Sequence, residues 1–472
     1  MKPLIGRTQL FTSLEPVEEN IPEILENIMG IHNENANEID YLYRYYRGDQ
    51  PILDRVKDIR PEITNKIVEN HAYEIVEFKT GYTFGEPIQY VSKGKDSEDD
   101  REDMIETESI TKLNELMDLD DKASKDRELG EWMFICGTGY RMVLPSDDEF
   151  LPFETEILDP RNTFVVYSTG FGKKPVLSGT FVKKIEGKDE KIYIGLYSKD
   201  KYFKVETEPG LSEYAVLESV PHSLNGLPII EYPLNPSRLG VFEPVLGLLD
   251  TLNNISSNRM DGIEQFVQSI MKFINCDIDK ETFKELLDLG ALKVQSSEGR
   301  DADVEIMTAE LDQQQSQTYV DYIYQTVLTI TGVPDRRASA GGNTGQALIV
   351  GQGWTNAESR AIATELMFNK SEKRFLRVIM NILDALSYDE NLKLSNIDIK
   401  FTRNKTDNLL VKTQGLQNML EAGIHPRTAI STSGLFSDPE QVFVDSTQYL
   451  QKWKEDKGEE NKNQKPNPPD IY

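Results

Sequence analysis

The sequence predicts an α+β protein that is mainly helical. Three observations carry that prediction. Long stretches place apolar residues at three- and four-residue steps, the period of an amphipathic helix. Residues 139–235 instead hold short β-branched and aromatic runs separated by Gly and Pro turns. A glycine-rich break then separates two long helical patterns, running from Gly332-Val333-Pro334-Asp335-Arg336-Arg337 through Gly341-Gly342-Asn343-Thr344-Gly345-Gln346-Ala347-Leu348. The 472 residues are 38% hydrophobic, with 20 Tyr and 19 Phe. That is enough for two or three domains, or for one elongated subunit, with a real core.

The first helix is expected over residues 20–47, where Ile21, Ile24, Leu25, Ile28, Ile31, Ile39 and Leu42 recur and Gly48 can close the last turn. A second is expected to start at Pro61, a good first-turn residue, and to run through Ile67, Val68, Ile75, Val76 and Phe78 to Gly81. A loop and short strand follow to Tyr90. Residues 96–108 carry eight acidic residues and one Arg and read as a solvated insertion. A helix then reaches Cys136, and Gly137-Thr138-Gly139 turns the chain into strands at 164–167, 180–182, 192–197 and 202–205, spaced for antiparallel hairpins.

From Pro244 to Phe273 helical spacing persists for about 30 residues, or about 45 Å. Residues 276–311 read as a compact α/β insert, with a helix from Thr282 to Leu289 and strands at 291–294 and 304–307. A helix returns over 311–331. Beyond the glycine-rich break, Asn343 or Thr344 can cap a helix of about 40 residues ending at Tyr388, with Gly351 and Gly353 as kink points. A strand at 397–401 and helices near 409–420 and 438–453 complete the series, and the tail from Lys454 has the composition of disorder.

The formal charge is −28. A protein that binds nucleic acid by neutralising phosphates shows the reverse balance, so any contact with DNA must be local or weak. Cys136 and Cys276 are too far apart in sequence for a ligand pair and read as small core residues. No basic start followed by an apolar run suggests a signal peptide, and no apolar stretch suggests a membrane span, so a cytosolic origin is expected. Tyr41, Tyr43, Arg44, Tyr45, Tyr46 and Arg47 mix aromatic and basic residues as single-strand binders do, but an aromatic helix end packed on the core is the favoured reading.

The glycine-rich break could be a phosphate cradle, an active-site lid, or a projection into a channel. It lacks the G-x-x-x-x-G-K-[ST] pattern, and no Gly-Lys-Ser/Thr occurs in the chain. His32, His71, His222 and His425 have no metal-ligand spacing, and no G-x-S-x-G elbow is present. The chain is expected not to be an enzyme and to need no cofactor or metal.

Several segments, in order and spacing, resemble the portal proteins of tailed bacteriophages of the siphophage type. They are Tyr45-Tyr46-Arg47-Gly48, Asn65-Lys66-Ile67-Val68-Glu69-Asn70, Lys79-Thr80-Gly81-Tyr82-Thr83-Phe84-Gly85-Glu86-Pro87-Ile88, Gly137-Thr138-Gly139-Tyr140, Thr331-Gly332-Val333-Pro334-Asp335, and Gly345-Gln346-Ala347-Leu348. The resemblance covers about residues 20–450. It implies a portal-type subunit with wing, stem, clip and crown regions, assembling into a ring, twelve-fold in the virion, with a central channel.

By that resemblance the wing is 1–240 with the strand near 397–401, and the stem helices are 241–274 and 312–333. The clip is 275–311, the tunnel loop 334–345, the long wing helix 346–390, the crown 406–453 and the tail 454–472. Arg336, Arg337, Gly341, Gly342, Asn343 and Gln346 are then the DNA-facing candidates. Lys280, Lys284, Lys293, Glu298, Arg300 and Asp301 are the docking candidates of the clip.

The implied partners are further copies of the chain, the terminase large subunit, a head-completion or adaptor protein, the major capsid and scaffolding proteins, and double-stranded DNA in transit. No membrane is implied. The implied location is the capsid portal vertex, reached from the host cytoplasm. Two features depart from the family pattern. Asn235-Pro236-Ser237-Arg238-Leu239-Gly240 stands where an acidic or polar run often precedes the stem, and Arg336-Arg337 is not typical of the loop. The two arginines either touch DNA or pair with carboxylates of a neighbouring copy. The rivals are another adaptor ring of the virion and a DNA enzyme, which would need a clustered carboxylate or His site.

Overall fold

The computed structural model describes residues 6–58, 60–93, 100–148, 150–186, 189–208, 213–267, 270–274, 303–307, 313–335, 353–388, 392–403, 409–436, 439, 441–447 and 449. They form two compact units. The first comprises residues up to 43, 74–243 and those from 354 onward; the second comprises 44–73 and 244–353.

The first unit is built on a six-stranded sheet. Its strands in spatial order are β1 (Leu10–Thr12), β5 (Thr163–Ser168), β6 (Pro175–Glu186), β7 (Asp189–Tyr197), β8 (Lys201–Thr207) and β9 (Ala215–Pro221). β1 joins β5 in parallel, and the remaining pairs are antiparallel hairpin neighbours, as the turn spacing predicts. Helix α1 (Ile21–Tyr46) covers one face. Its Ile21, Ile24, Leu25 and Ile28 fall on one stripe and pack with alternate sheet residues Phe164, Val166, Ile194, Leu196, Phe203 and Val205. Each such side chain contributes about 1.5–3 kcal/mol on burial. Gly179 sits beneath Phe164 and Leu196, where a Cβ would collide with both rows.

A three-stranded antiparallel sheet, β10 (Ile229–Pro233), β3 (Thr138–Pro145) and β4 (Phe153–Leu158), lies in the same unit. So does the pair β2 (Gln89–Ser92) with β13 (Ile397–Lys400). Around them run α3 (Asp100–Leu119), α4 (Lys122–Cys136) and α7 (Trp354–Ala385), the last burying Phe368, Phe375, Leu376 and Ile379. Helices α8 (Leu409–Glu421) and α9 (Pro426–Ser433) form a small terminal pair tied by Lys412 to the Gly434 carbonyl at 2.9 Å. Cys136 is the buried core residue expected; its thiol donates to backbone carbonyls, and burial pushes it up to about 12.

The structure corrects several boundaries. Helix α2 is His71–Thr83, not a helix from Pro61; residues 64–70 have no regular structure. Residues 100–108 of the acidic run are helical, because α3 begins at Asp100, and Asp121 breaks α3 from α4 with a left-handed φ of 56°. Helix α5 (Leu246–Val267) stops short of Phe273, and residues 270–274 form strand β11 instead. Gly353, at φ 85°, stands directly before α7, and the part of the expected long helix before it, with Gly351, lies outside the described residues. The expected helix at 282–289, the strand at 291–294, Cys276, the helix cap at Asn343 or Thr344 and the tail from Lys454 lie outside the described residues.

Candidate functional site

The second unit contains the helix–insert–helix arrangement that the sequence singled out. α5 leads into β11 (Ile270–Ile274), which pairs antiparallel with β12 (Asp303–Met307) in the register Ile270↔Met307 to Ile274↔Asp303. Helix α6 (Gln313–Thr331) follows. The two strands bring the ends of segment 275–302 side by side, since Ile274 and Asp303 are cross-strand partners. α5 and α6 pack together, with Leu249, Leu252, Ile323, Val327 and Leu328 buried. Arg259 adds a 2.9 Å bond to Gln317.

A polar stripe on α5 organises the rest of this unit. Asn253, Ser257 and Asp261 are spaced four apart and are all buried. Their side-chain oxygens accept from the backbone N–H groups of Glu69 (2.8 Å), Ile67 (2.9 Å) and Asn65 (2.7 Å). Four helical residues rise about 6.0 Å, and two residues of extended chain span about 6.6 Å, so alternate N–H groups meet successive turns in register. Asp261 also accepts from Asn65 Nδ2, Lys57 and Arg55. Burial alone would raise its carboxyl, but the Lys57 and Asn65 bonds outweigh this and hold it below the usual range.

At the other end of the stripe Asn253 donates to Gln50 at 2.5 Å, and Gln50 donates to the Tyr45 carbonyl and to Asn70. Asn70 caps α2 by accepting from Tyr73 N–H at 3.3 Å. This explains why Pro61 starts no helix. The donors a helix would use internally are already taken by α5, and tertiary context overrides the local pattern.

The glycine-rich break is anchored at both ends. Val333 N–H donates to the Leu328 carbonyl at 3.0 Å, and Gly332 takes φ 71°. This is the glycine-terminated helix stop that the sequence predicts. Gly353 lies close to Pro334, since a Cβ placed on it would come within 3.8 Å of the Pro334 Cα. The described residues on either side of segment 336–352 therefore lie at neighbouring points. The candidates Arg336, Arg337, Gly341, Gly342, Asn343 and Gln346 lie outside the described residues, as do Lys280, Lys284, Lys293, Glu298, Arg300 and Asp301 of the insert.

A cluster rich in titratable groups is interior to the first unit. Glu372 accepts from Tyr90 (2.6 Å), Tyr232 (2.7 Å) and Lys122 (2.9 Å), with Arg141 at 3.5 Å, and Arg141 and Lys122 also hold Asp126. Burial would raise the Glu372 carboxyl, but the Lys122 and Arg141 charges outweigh it and keep it ionised. Two cations balance two carboxylates, and all four side chains are at most 4% exposed, so no substrate reaches them. Glu231 pairs with Arg238 in the same interior, at 2.5 and 2.9 Å. Asn235 ties the junction that departs from the family pattern, accepting from the N–H groups of Ser237 and Leu239. No metal-holding group occurs among the described residues.

Sequence reasoning missed the Asn253–Ser257–Asp261 stripe and the Glu372 cluster. The first left a signal, three hydrogen-bonding residues at four-residue spacing inside an apolar-patterned helix. The second left none, because its members come from five separate elements. A family model described as phage portal protein, SPP1 Gp6-like, matches residues 25–463. No curated protein matches the chain.

Proposed function

The chain belongs to the phage portal protein family of the SPP1 Gp6-like type, and we propose that its copies form a ring at one capsid vertex through which double-stranded DNA is packaged and later ejected. The family is a structural, non-enzymatic one. The observation that carries the reading is the helix–paired strands–helix arrangement of the second unit, followed by a segment whose two ends meet at Pro334 and Gly353. In this reading 1–240 is the wing, and α5 and α6 belong to the stem. Segment 275–311 is the clip, which docks the terminase large subunit and then head-completion proteins through Lys280, Lys284, Lys293, Glu298, Arg300 and Asp301. Residues 334–345 are the tunnel loop, and 406–453 the crown.

Two further features support a ring, whose twelve-fold number in the virion follows the family resemblance alone. Tyr319, Tyr322 and Ile330 lie along one stripe of α6 and are 56%, 65% and 39% exposed, an apolar surface that a neighbouring copy would cover. A strongly acidic wall repels the duplex, so passing DNA is not trapped by a phosphate contact repeated on every subunit. Negative-stain images and sedimentation of the purified protein test this. Rings with a central opening are expected, and a compact monomer would overturn the reading.

A further inference from the structure

The first unit carries a cleft of about 810 Å³ whose walls come from the N-terminal turn, β5, β6, the β7–β8 turn, the start of β10 and α7. Four cations line it: Lys174, Lys199, Arg374 and Arg377. None of the four makes an ion pair among the described residues, although the protein carries 80 acidic residues against 52 basic ones. Arg374 and Arg377 stand three apart on α7 and so share a face. Of the carboxylates at the cleft, Glu231 is already committed to Arg238, which leaves Glu15 and Asp200 against four positive charges. Val176 and Val378 give the walls an apolar part.

Two carboxylates against four cations leave this partly apolar cleft locally positive on an acidic protein, a surface complementary to an anionic partner with apolar side chains. The complementary piece exists in the sequence. Residues 96–108 hold eight acidic residues with Met104 and Ile105 among them, so the segment offers both carboxylates and apolar side chains. The described part of α3, which begins within the run at Asp100, packs on β2 and α4, and neither lines the cleft.

We infer that the cleft receives the acidic segment 96–108 of a second copy of this chain, forming a charge-matched latch between neighbours. The inference rests on the ring reading, which supplies a neighbour at fixed spacing and hence a high effective concentration. Contacts of this kind weaken with salt, because the cations at the cleft mouth are exposed.

The test uses rings assembled from an equal mixture of unlabelled and nitrogen-15-labelled full-length protein. A carbodiimide then joins neighbouring amines and carboxylates, each link forming one amide bond with loss of one water. Links between Lys174 or Lys199 and residues 96–108 that carry both labels are expected. In parallel, Lys199→Glu with Arg377→Glu should lower the salt concentration at which rings dissociate by about twofold. Asp99→Lys with Asp103→Lys should do the same, and combining the four changes should restore it. Both basic residues are exposed, so the fold tolerates their reversal, and an unchanged thermal midpoint checks this. Intact rings whose links all lie within one copy, or that show no such links, overturn the inference alone. A monomer overturns the ring reading and the inference with it.

Discussion

Glu372 shows how a single side chain can hold several elements together without doing chemistry. It lies on α7 and is reached by Tyr90 from β2, Lys122 from α4, Arg141 from β3 and Tyr232 from β10. Removing the carboxylate leaves two buried cations facing one remaining carboxylate, Asp126, and strands two tyrosine hydroxyls. Breaking a buried pair from one side costs about 3–5 kcal/mol. Glu372→Leu is therefore expected to shift the urea midpoint of the protein sharply downward or to make it insoluble. Glu372→Gln keeps one acceptor oxygen and nearly the same volume, so it should cost less than Glu372→Leu. A second residue gives a pH signature. His32 lies between Phe164 and Phe181, and burial pushes its pKa down to about 4 against a bond to the Arg161 backbone. The unfolded chain therefore takes up this proton more readily than the folded one. Stability must fall as pH drops from about 6.5 to about 4, by up to about 3 kcal/mol. His32→Leu should flatten that limb of a pH series of thermal midpoints. A limb that persists in the variant would assign the acid sensitivity to other groups.

Segment 64–70 against α5 is the element whose conformation depends most on another. It holds to the helix through three backbone bonds at Asn253, Ser257 and Asp261, and its far end is fastened by Arg55 and Lys57. Asp261→Ala removes acceptors for one backbone N–H, one amide and two cations. The expected loss is about 2–4 kcal/mol, with new trypsin cleavage after Lys57 or Lys66 as the readout. Ser257→Ala should cost about 1 kcal/mol and open the segment less. The sequence made the four middle strands of the six-stranded sheet legible, because β-branched and aromatic runs and turn residues are local signals, but not β1 or β9 at its edges. It made α1 legible for the same reason, and Gly332 marked the end of α6. It misplaced the start of α2 because Ile63, Ile67 and Val68 keep helical spacing while their backbone is claimed by α5, a partner about 190 residues away. It extended α5 too far because Ile270 and Phe273 fit a helix equally well, and only their pairing with Met307 and Val304 makes them a strand. Family motifs, rather than any local pattern, brought the functional reading.

At the scale of the whole molecule, charge decides what the glycine-rich segment can do. In the proposed ring, chains carrying −28 each would surround a channel with negative potential, and double-stranded DNA would meet little else until a local exception appeared. Arg336 and Arg337, in the segment between Pro334 and Gly353, are the exception we propose. One arginine pair per copy, repeated around a ring, sums to many phosphate contacts, and each neutralised phosphate steepens the salt dependence of retention. If the pair faces DNA, Arg336→Ala with Arg337→Ala should leave ring assembly intact, reduce the amount of DNA retained in filled heads, and flatten the dependence of leakage on salt. If it instead joins neighbouring copies, the same variant should lower the salt or temperature at which rings dissociate while heads fill to the normal extent. Measuring ring dissociation and DNA retention on one preparation separates the two, because each reading moves one quantity and spares the other. Full retention with unaltered rings would remove both arginines from the mechanism and leave the glycine-rich segment to act through its backbone.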